Sequence, residues 1–250
     1  MHKLQIKYEK EINELVEATV RLGELGFVTS HGGNLSYRVD EDAVLITPTK
    51  VSKRKVVFDD IVIINLAGEV MFAGDERKPT GEMPVHLNIL KKRPDIRGLV
   101  HAHPPVLTGF ALSSNEILSR PLLPEPIIEL GPVLYVNYEE PISDKLAASF
   151  DEVIYLSNTF LMKNHGVMIC NPEGVERALE LLEMLEAMAY SVFVASLLGK
   201  VNEIPAHEVE NLENTLRTRE IPIPGKPGYV KRLIDFYFCE KDKIENGRCS

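Results

Sequence analysis

Cysteine is scarce in this chain. Three occur among 250 residues (Cys170, Cys239 and Cys249), an odd number without C-x-x-C spacing. That excludes a disulfide framework and a cysteine-built zinc knot. Tryptophan is missing altogether, which carries no functional message. No apolar run approaches the roughly 18 residues of a bilayer span. The opening MHKLQIKYEKEINELVEATV is charged throughout and has no signal-peptide core. The expectation is a cytoplasmic protein that engages no membrane. Positive charge is also in short supply. Lys and Arg total 28 against 37 Asp and Glu, for a net charge of −9, which argues against a general nucleic-acid binder. Neither G-x-G-x-x-G nor G-x-x-x-x-G-K-[ST] occurs, so the usual nucleotide cradles are missing.

What is present is the composition of a globular protein, 44% hydrophobic and 26% charged, long enough to bury a sizeable core. Apolar residues at helical spacing predict a helix over 4–26, ending at Gly26. NLSYRV and AVLITP, separated by a DED turn, read as a hairpin, and DDIVIINLAGEVMF adds another strand, a turn and a strand start. GEMPVHLNILKKR reads as a helix with Pro84 in its first turn. IRGLVHAH reads as a strand and PVLTGFALSS as a short helix; LLPEPIIELGPVLYVNYEEP is Pro-punctuated and strand-like. SDKLAASF is a helix capped by Ser143, and TFLMKNHGVMICNPEG is strand, turn, strand. A long helix ending at Gly199 and a more polar helix in AHEVENLENTLRTRE follow, then a tail rich in Pro, Gly and charge. Strands joined mainly by turns, with helices inserted at intervals, imply a mostly antiparallel sheet covered by helices.

The densest chemistry lies in LVHAHPP. In a strand, residues i and i+2 share a face, so His101 and His103 project together, and Pro104 and Pro105 end the strand. Two imidazoles so placed can share a metal ion or simply hydrogen-bond locally. His165, in KNHGV, stands at a strand-to-strand junction, where Gly166 lets another group approach. Glu82 lies at a helix start, a place the dipole favours for any acid. His86 is four residues on and shares its helix face, as a further ligand or as a partner of one. HGGNLSYR and TPTK supply Asn34, Ser36, Thr47 and Thr49 beside Gly or Pro, a setting for ordinary turns or for anion-binding backbone N–H groups.

GGNLS, ITPT, KPTGEMPVHLNIL, VHAHPP and KNHGV, in this order and spacing, resemble the class II aldolase/adducin family, and within it the L-fuculose-1-phosphate aldolase-like enzymes. The resemblance runs from about Ile12 to Gly199. It implies an α/β fold, a three-layer α/β/α domain around a central, mostly antiparallel sheet, here over residues 1–225 with a tail at 226–250. It implies zinc ligands at His101, His103 and His165, one ion per subunit with other divalent metals possible, and a catalytic carboxylate at Glu82. Phosphate-binding positions match Asn34, Thr49 and Thr80 with the neighbouring Lys50 and Gly81. The implied activity is cleavage of a ketose 1-phosphate to dihydroxyacetone phosphate and an aldehyde through a zinc-stabilised enediolate, in a homotetramer. Epimerases, dehydratases and decarboxylases of sugar phosphates share the metal constellation, and the adducin branch is non-catalytic. Two departures stand out. Lys50 and Gly81 occupy positions where glycine and a hydroxyl residue are expected. No tyrosine follows the H-x-H segment before Tyr135, which leaves Glu125, Glu129, Tyr229 and Tyr237 as candidates for a second proton donor.

Overall fold

The computed structural model describes residues 1–238; Cys239, Cys249 and the remainder of 239–250, the end of the expected tail, lie outside the described residues. The first predicted helix is two, α1 (Lys3–Lys7) and α2 (Glu9–Glu24), with His2 capping the first. The sheet begins with the hairpin β1 (Asn34–Asp40) and β2 (Ala43–Ile46), followed by β3 (Val62–Ile64) and β4 (Val70–Phe72). After α3 (Met83–Lys92), β5 (Gly98–Ala102) enters the middle of the sheet, and α4 (Pro105–Ala111) leaves its end.

The Pro-punctuated stretch that reads as strand-like is mostly not strand. Residues Pro124–Glu129 form a helix, α5, and only Leu134–Val136 (β6) extends. Pro124 stands in the first turn, where a missing N–H is harmless, and Glu125 meets the positive helix end, so local chemistry favours the helix. Then come α6 (Asp144–Ala148), capped by Ser143 as expected, the hairpin β7 (Thr159–Met162) and β8 (Gly166–Asn171), α7 (Val175–Leu198), α8 (Ala206–Thr218) and α9 (Leu233–Phe238). The last, within the segment expected as tail, packs with α8 around Ile127, Val209, Leu216 and Leu233.

The eight strands form one sheet in the order β4-β3-β2-β1-β5-β8-β7-β6, antiparallel throughout except for β6 with β7. Strand alternation sorts its side chains onto two faces. Leu45, Ile63, Val100 and Ile169 face a core shared with Leu15 and Leu22 of α2 and with Leu182 and Leu185 of α7. Val44, Ile46, Leu99 and Met168 face a second core with Ile89 and Leu90 of α3 and Leu146 of α6. That is the three-layer α/β/α fold. Contrary to the expectation that no span-length apolar segment exists, α7 has the length and apolarity of one. Its buried residues, from Val175 to Val192, belong to the first core.

Candidate active site

β5 sits between β1 and β8, so its end is enclosed by neighbours on both sides. Asn34 pairs directly with His101 across β1 and β5, and both side chains face the α3 layer. His101 Nδ1 donates to the Val167 carbonyl oxygen at 2.9 Å. That bond leaves Nε2 with its lone pair directed away from the strand, as a metal-binding imidazole requires. His103, just past the strand end, brings its Nε2 to 3.1 Å from Nε2 of His101.

His165 arrives by way of a tight turn. Met162 pairs with Gly166, so residues 163–165 form the loop, and Asn164 takes the left-handed conformation that asparagine tolerates (φ 56°). Gly166 is obligatory here. A Cβ on it would lie 2.4 Å from both the Ala102 oxygen and Cδ2 of His103. The ligating-type nitrogens of His101, His103 and His165 all lie within 4.8 Å of one another.

Glu82 closes the cluster from the start of α3. Its Oε2 is 3.2 Å from His101 Nε2, and its Oε1 is 3.3 Å from His165 Nε2. Its side chain makes no capping bond to its own helix. Asn34 Nδ2 donates to Oε2 at 2.7 Å. Behind it, His86 Nε2 meets Asn34 Oδ1, and Ser36 Oγ meets His86 Nδ1 at 2.7 Å. The polarity of this chain is forced. Asn34 gives its N–H to Glu82, so its oxygen accepts from His86 Nε2–H, and Ser36 O–H donates to the bare Nδ1. The i+4 pair Glu82/His86 is therefore a carboxylate and the imidazole that orients it through an asparagine.

Burial opposes ionisation of Glu82, but His101, the Asn34 amide, His165 and His86 outweigh it and hold its pKa at about 2. Burial pushes His86 and His103 down to about 3 and His165 to about 4, so these rings are neutral near pH 7. Neutral imidazoles and an ionised carboxylate are a metal-ligating set. Two imidazole nitrogens facing at 3.1 Å repel unless a proton or a cation lies between them. Two nitrogens on one tetrahedral zinc would be about 3.3 Å apart. His165 Nδ1 is buried without a hydrogen-bond partner in the protein. The residues fit a divalent metal.

The anion-site candidates gather beside this centre. Thr49 N donates to the Lys78 oxygen and Thr80 N to the Thr47 oxygen, a two-bond clamp that sets the Thr49–Lys50 loop against Thr80–Gly81. Thr80 Oγ1 accepts from Glu82 N at 3.3 Å. Lys50 is exposed and left-handed (φ 58°). Gly81 has a physical reason to lack a side chain: Ile142 lies over it, and a Cβ would meet Ile142 Cδ1 at 2.9 Å. Thr47 is structural, bonded to the Leu35 backbone. Among the proton-donor candidates, Glu125 is exposed in the first turn of α5, Glu129 is paired with Arg177, Tyr229 packs on Tyr155 and Tyr237 packs on the cluster of Val209, Leu216 and Leu233.

The sequence model of the class II aldolase and adducin N-terminal domain matches residues 13–192. The chain belongs to the class II aldolase and adducin family. Within the family it is 31% identical to a 3-oxo-tetronate 4-phosphate decarboxylase of Haemophilus influenzae, over 79% of this chain and 95% of that protein. It is also 31% identical to a 5-deoxy-D-ribulose 1-phosphate aldolase of Bacillus thuringiensis, over 82% and 94%. A sugar-phosphate aldolase structure from Thermotoga maritima superposes with a TM-score of 0.70 at 25% identity, covering 78% of this chain and 98% of that one. Class II aldolases are metal-dependent, and the three-histidine cluster is where this member of the family has the donors for a metal.

Proposed function

We propose that this chain is a carbon–carbon lyase for a small sugar phosphate, an aldolase that splits a ketose 1-phosphate of the fuculose 1-phosphate type into dihydroxyacetone phosphate and an aldehyde. The observation that carries this reading is a single carboxylate, Glu82, held within 3.3 Å of two of three converging imidazoles. His101, His103 and His165 would hold one zinc ion per subunit, or manganese, cobalt or iron in its place, and the bound ion would supply the charge that polarises the substrate's ketone. Glu82 removes the proton from the hydroxyl next to the scissile bond and later returns a proton to carbon. Asn34 holds Oε2 of that carboxylate in place, and His86 and Ser36 fix Asn34. Thr49, Lys50, Thr80 and the Gly81 backbone, with Asn34 at their edge, take the phosphate and fix its distance from Glu82.

The similarity to a decarboxylase favours a second reading on the same machinery. Loss of CO2 from a 3-oxotetronate 4-phosphate also leaves dihydroxyacetone phosphate. Both reactions leave an electron pair on the carbon beside the ketone, and Glu82 can protonate that carbon in either. The co-product therefore decides. Metal-loaded protein given ketose 1-phosphates should release dihydroxyacetone phosphate with an equal amount of aldehyde. Release of CO2 from the oxo acid, with no aldehyde from any ketose 1-phosphate, would replace the aldolase reading with the decarboxylase one.

We also propose that the chain assembles as a homotetramer. Family resemblance supports it, and so does the outer face of α7, where Tyr190, Phe193, Leu197 and Leu198 are 48–84% exposed. An apolar patch of this kind is typical of an interface. Light scattering should give four times the 28.1 kDa chain mass, and Leu197→Glu/Leu198→Glu should give a smaller species. A fully active wild-type monomer would refute the assembly.

A further inference from the structure

Lys53 is a buried charged group that the proposed chemistry does not use. It follows the Thr49–Lys50 loop in the sequence, yet only 2% of it is exposed. Its Nζ lies 3.3 Å from the His31 carbonyl oxygen and 3.3 Å from the Val51 carbonyl oxygen. Among the described residues no carboxylate lies within salt-bridge distance of it, although twelve other Lys or Arg pairs with carboxylates form there. Burial, with no opposing charge, brings its pKa down to about 8. A buried ammonium held only by two long bonds to neutral carbonyls costs stability and is rarely kept without a partner.

The two carbonyls show where the partner belongs. His31 is in the loop that ends at Asn34, and Gly32 of that loop lies against the His103 ring, with a Cβ position 3.1 Å from Nδ1. Val51 directly follows Thr49 and Lys50. One cation thus ties together the two loops that flank the proposed anion pocket, and does so from the buried side. The same loops carry the exposed Ser30 and the half-buried Thr49, whose hydroxyls are open to an anion. A phosphate above them would be the negative charge that Lys53 lacks.

We propose that Lys53 is a positioning residue for the substrate phosphate, fixing the 31–34 and 49–51 loops and contributing its buried positive charge to the bound anion. This rests on the anion-pocket reading given above. It differs from a purely structural strut in its consequences, because a strut raises stability and a functional buried charge lowers it.

The test compares metal-loaded wild type with Lys53→Met and Lys53→Gln, using inorganic phosphate as the probe. Calorimetric titration should show phosphate binding at least tenfold weaker in both variants. Metal content should be unchanged, and melting temperatures in phosphate-free buffer should equal or exceed that of wild type. Glutamine keeps N–H donors for the two carbonyls and removes only the charge, so it decides the matter if methionine fails to fold. Phosphate binding by Lys53→Gln within twofold of wild type would overturn the proposal, as would a lowered melting temperature in both variants. A wild-type protein that binds no phosphate would overturn the anion pocket and this role together, before any variant is compared.

Discussion

Replacing Glu82 by glutamine should leave a folded, metal-loaded protein whose turnover falls by about a hundredfold or more, the usual contribution of a general acid–base group. The cost to the fold should be small. Glu82 makes no capping bond to α3, so the amide loses only the charge–dipole attraction at a helix start, about 0.3–1 kcal/mol. The glutamine oxygen can still accept from Asn34 Nδ2, so the Ser36–His86–Asn34 chain keeps its polarity. What the amide cannot do is accept a proton near neutral pH. The carboxylate, held at about 2 against the pull of burial, is ionised throughout that range and has a free lone pair where the amide has none. The measurement is kcat at saturating substrate, with metal content and melting temperature as controls. Unchanged kcat would remove Glu82 from the chemistry and leave it as an inner ligand or a first-turn acid.

Much of this centre's geometry is legible in the sequence. The period of two in a strand puts His101 and His103 on one side, and the rings do converge, although the strand itself stops at Ala102. KNHG reads as a turn in which glycine admits a close neighbour; Gly166 does so, and the positive φ of Asn164 completes the turn that holds His165. The separation of Glu82 and His86 by one helical turn predicts a shared face. It cannot predict that an asparagine from β1 stands between them. Asn34 looks like an anion-loop residue because it follows two glycines. Its amide also reaches Glu82, through a cross-strand register that no local pattern encodes. Gly81 looks like a lost hydroxyl until Ile142, sixty-one positions later, is found over it. Lys53 was invisible for a similar reason. KVSKRK reads as a solvated charge run, and packing of its 53–55 turn against α2, with the loop at His31, buries one of its lysines. Periodicity and turn chemistry act over a few residues, whereas partners chosen across the sheet require the tertiary fold.

Substituting a single cluster histidine by alanine should cost the protein its metal as well as its turnover. His101→Ala should have the largest effect. Its ring is 1% exposed, its Nδ1–H is already anchored on Val167 O, and its Nε2 faces both His103 and Glu82. Loss of an anchoring partner alone costs about 10–100-fold in metal affinity, so loss of the ligand itself should exceed that. Elemental analysis after dialysis should find about one metal per wild-type chain and little in His101→Ala, His103→Ala or His165→Ala. Acid should act in the same direction. Folded His103 and His165 hold values of about 3 and 4 against 6.5 for the free side chain. Between those values the unfolded chain binds more protons than the folded one, so the stability of chelator-treated protein should decline as pH falls from about 6.5 towards 4. The metal-loaded protein should resist that decline until protons displace the ion, because the bound metal holds the imidazoles deprotonated. Melting curves with and without chelator, taken across that range, separate the two contributions. Full metal content in His101→Ala, or superimposable curves for the loaded and chelated protein, would show that the three imidazoles form a buried hydrogen-bonded cluster rather than a metal centre.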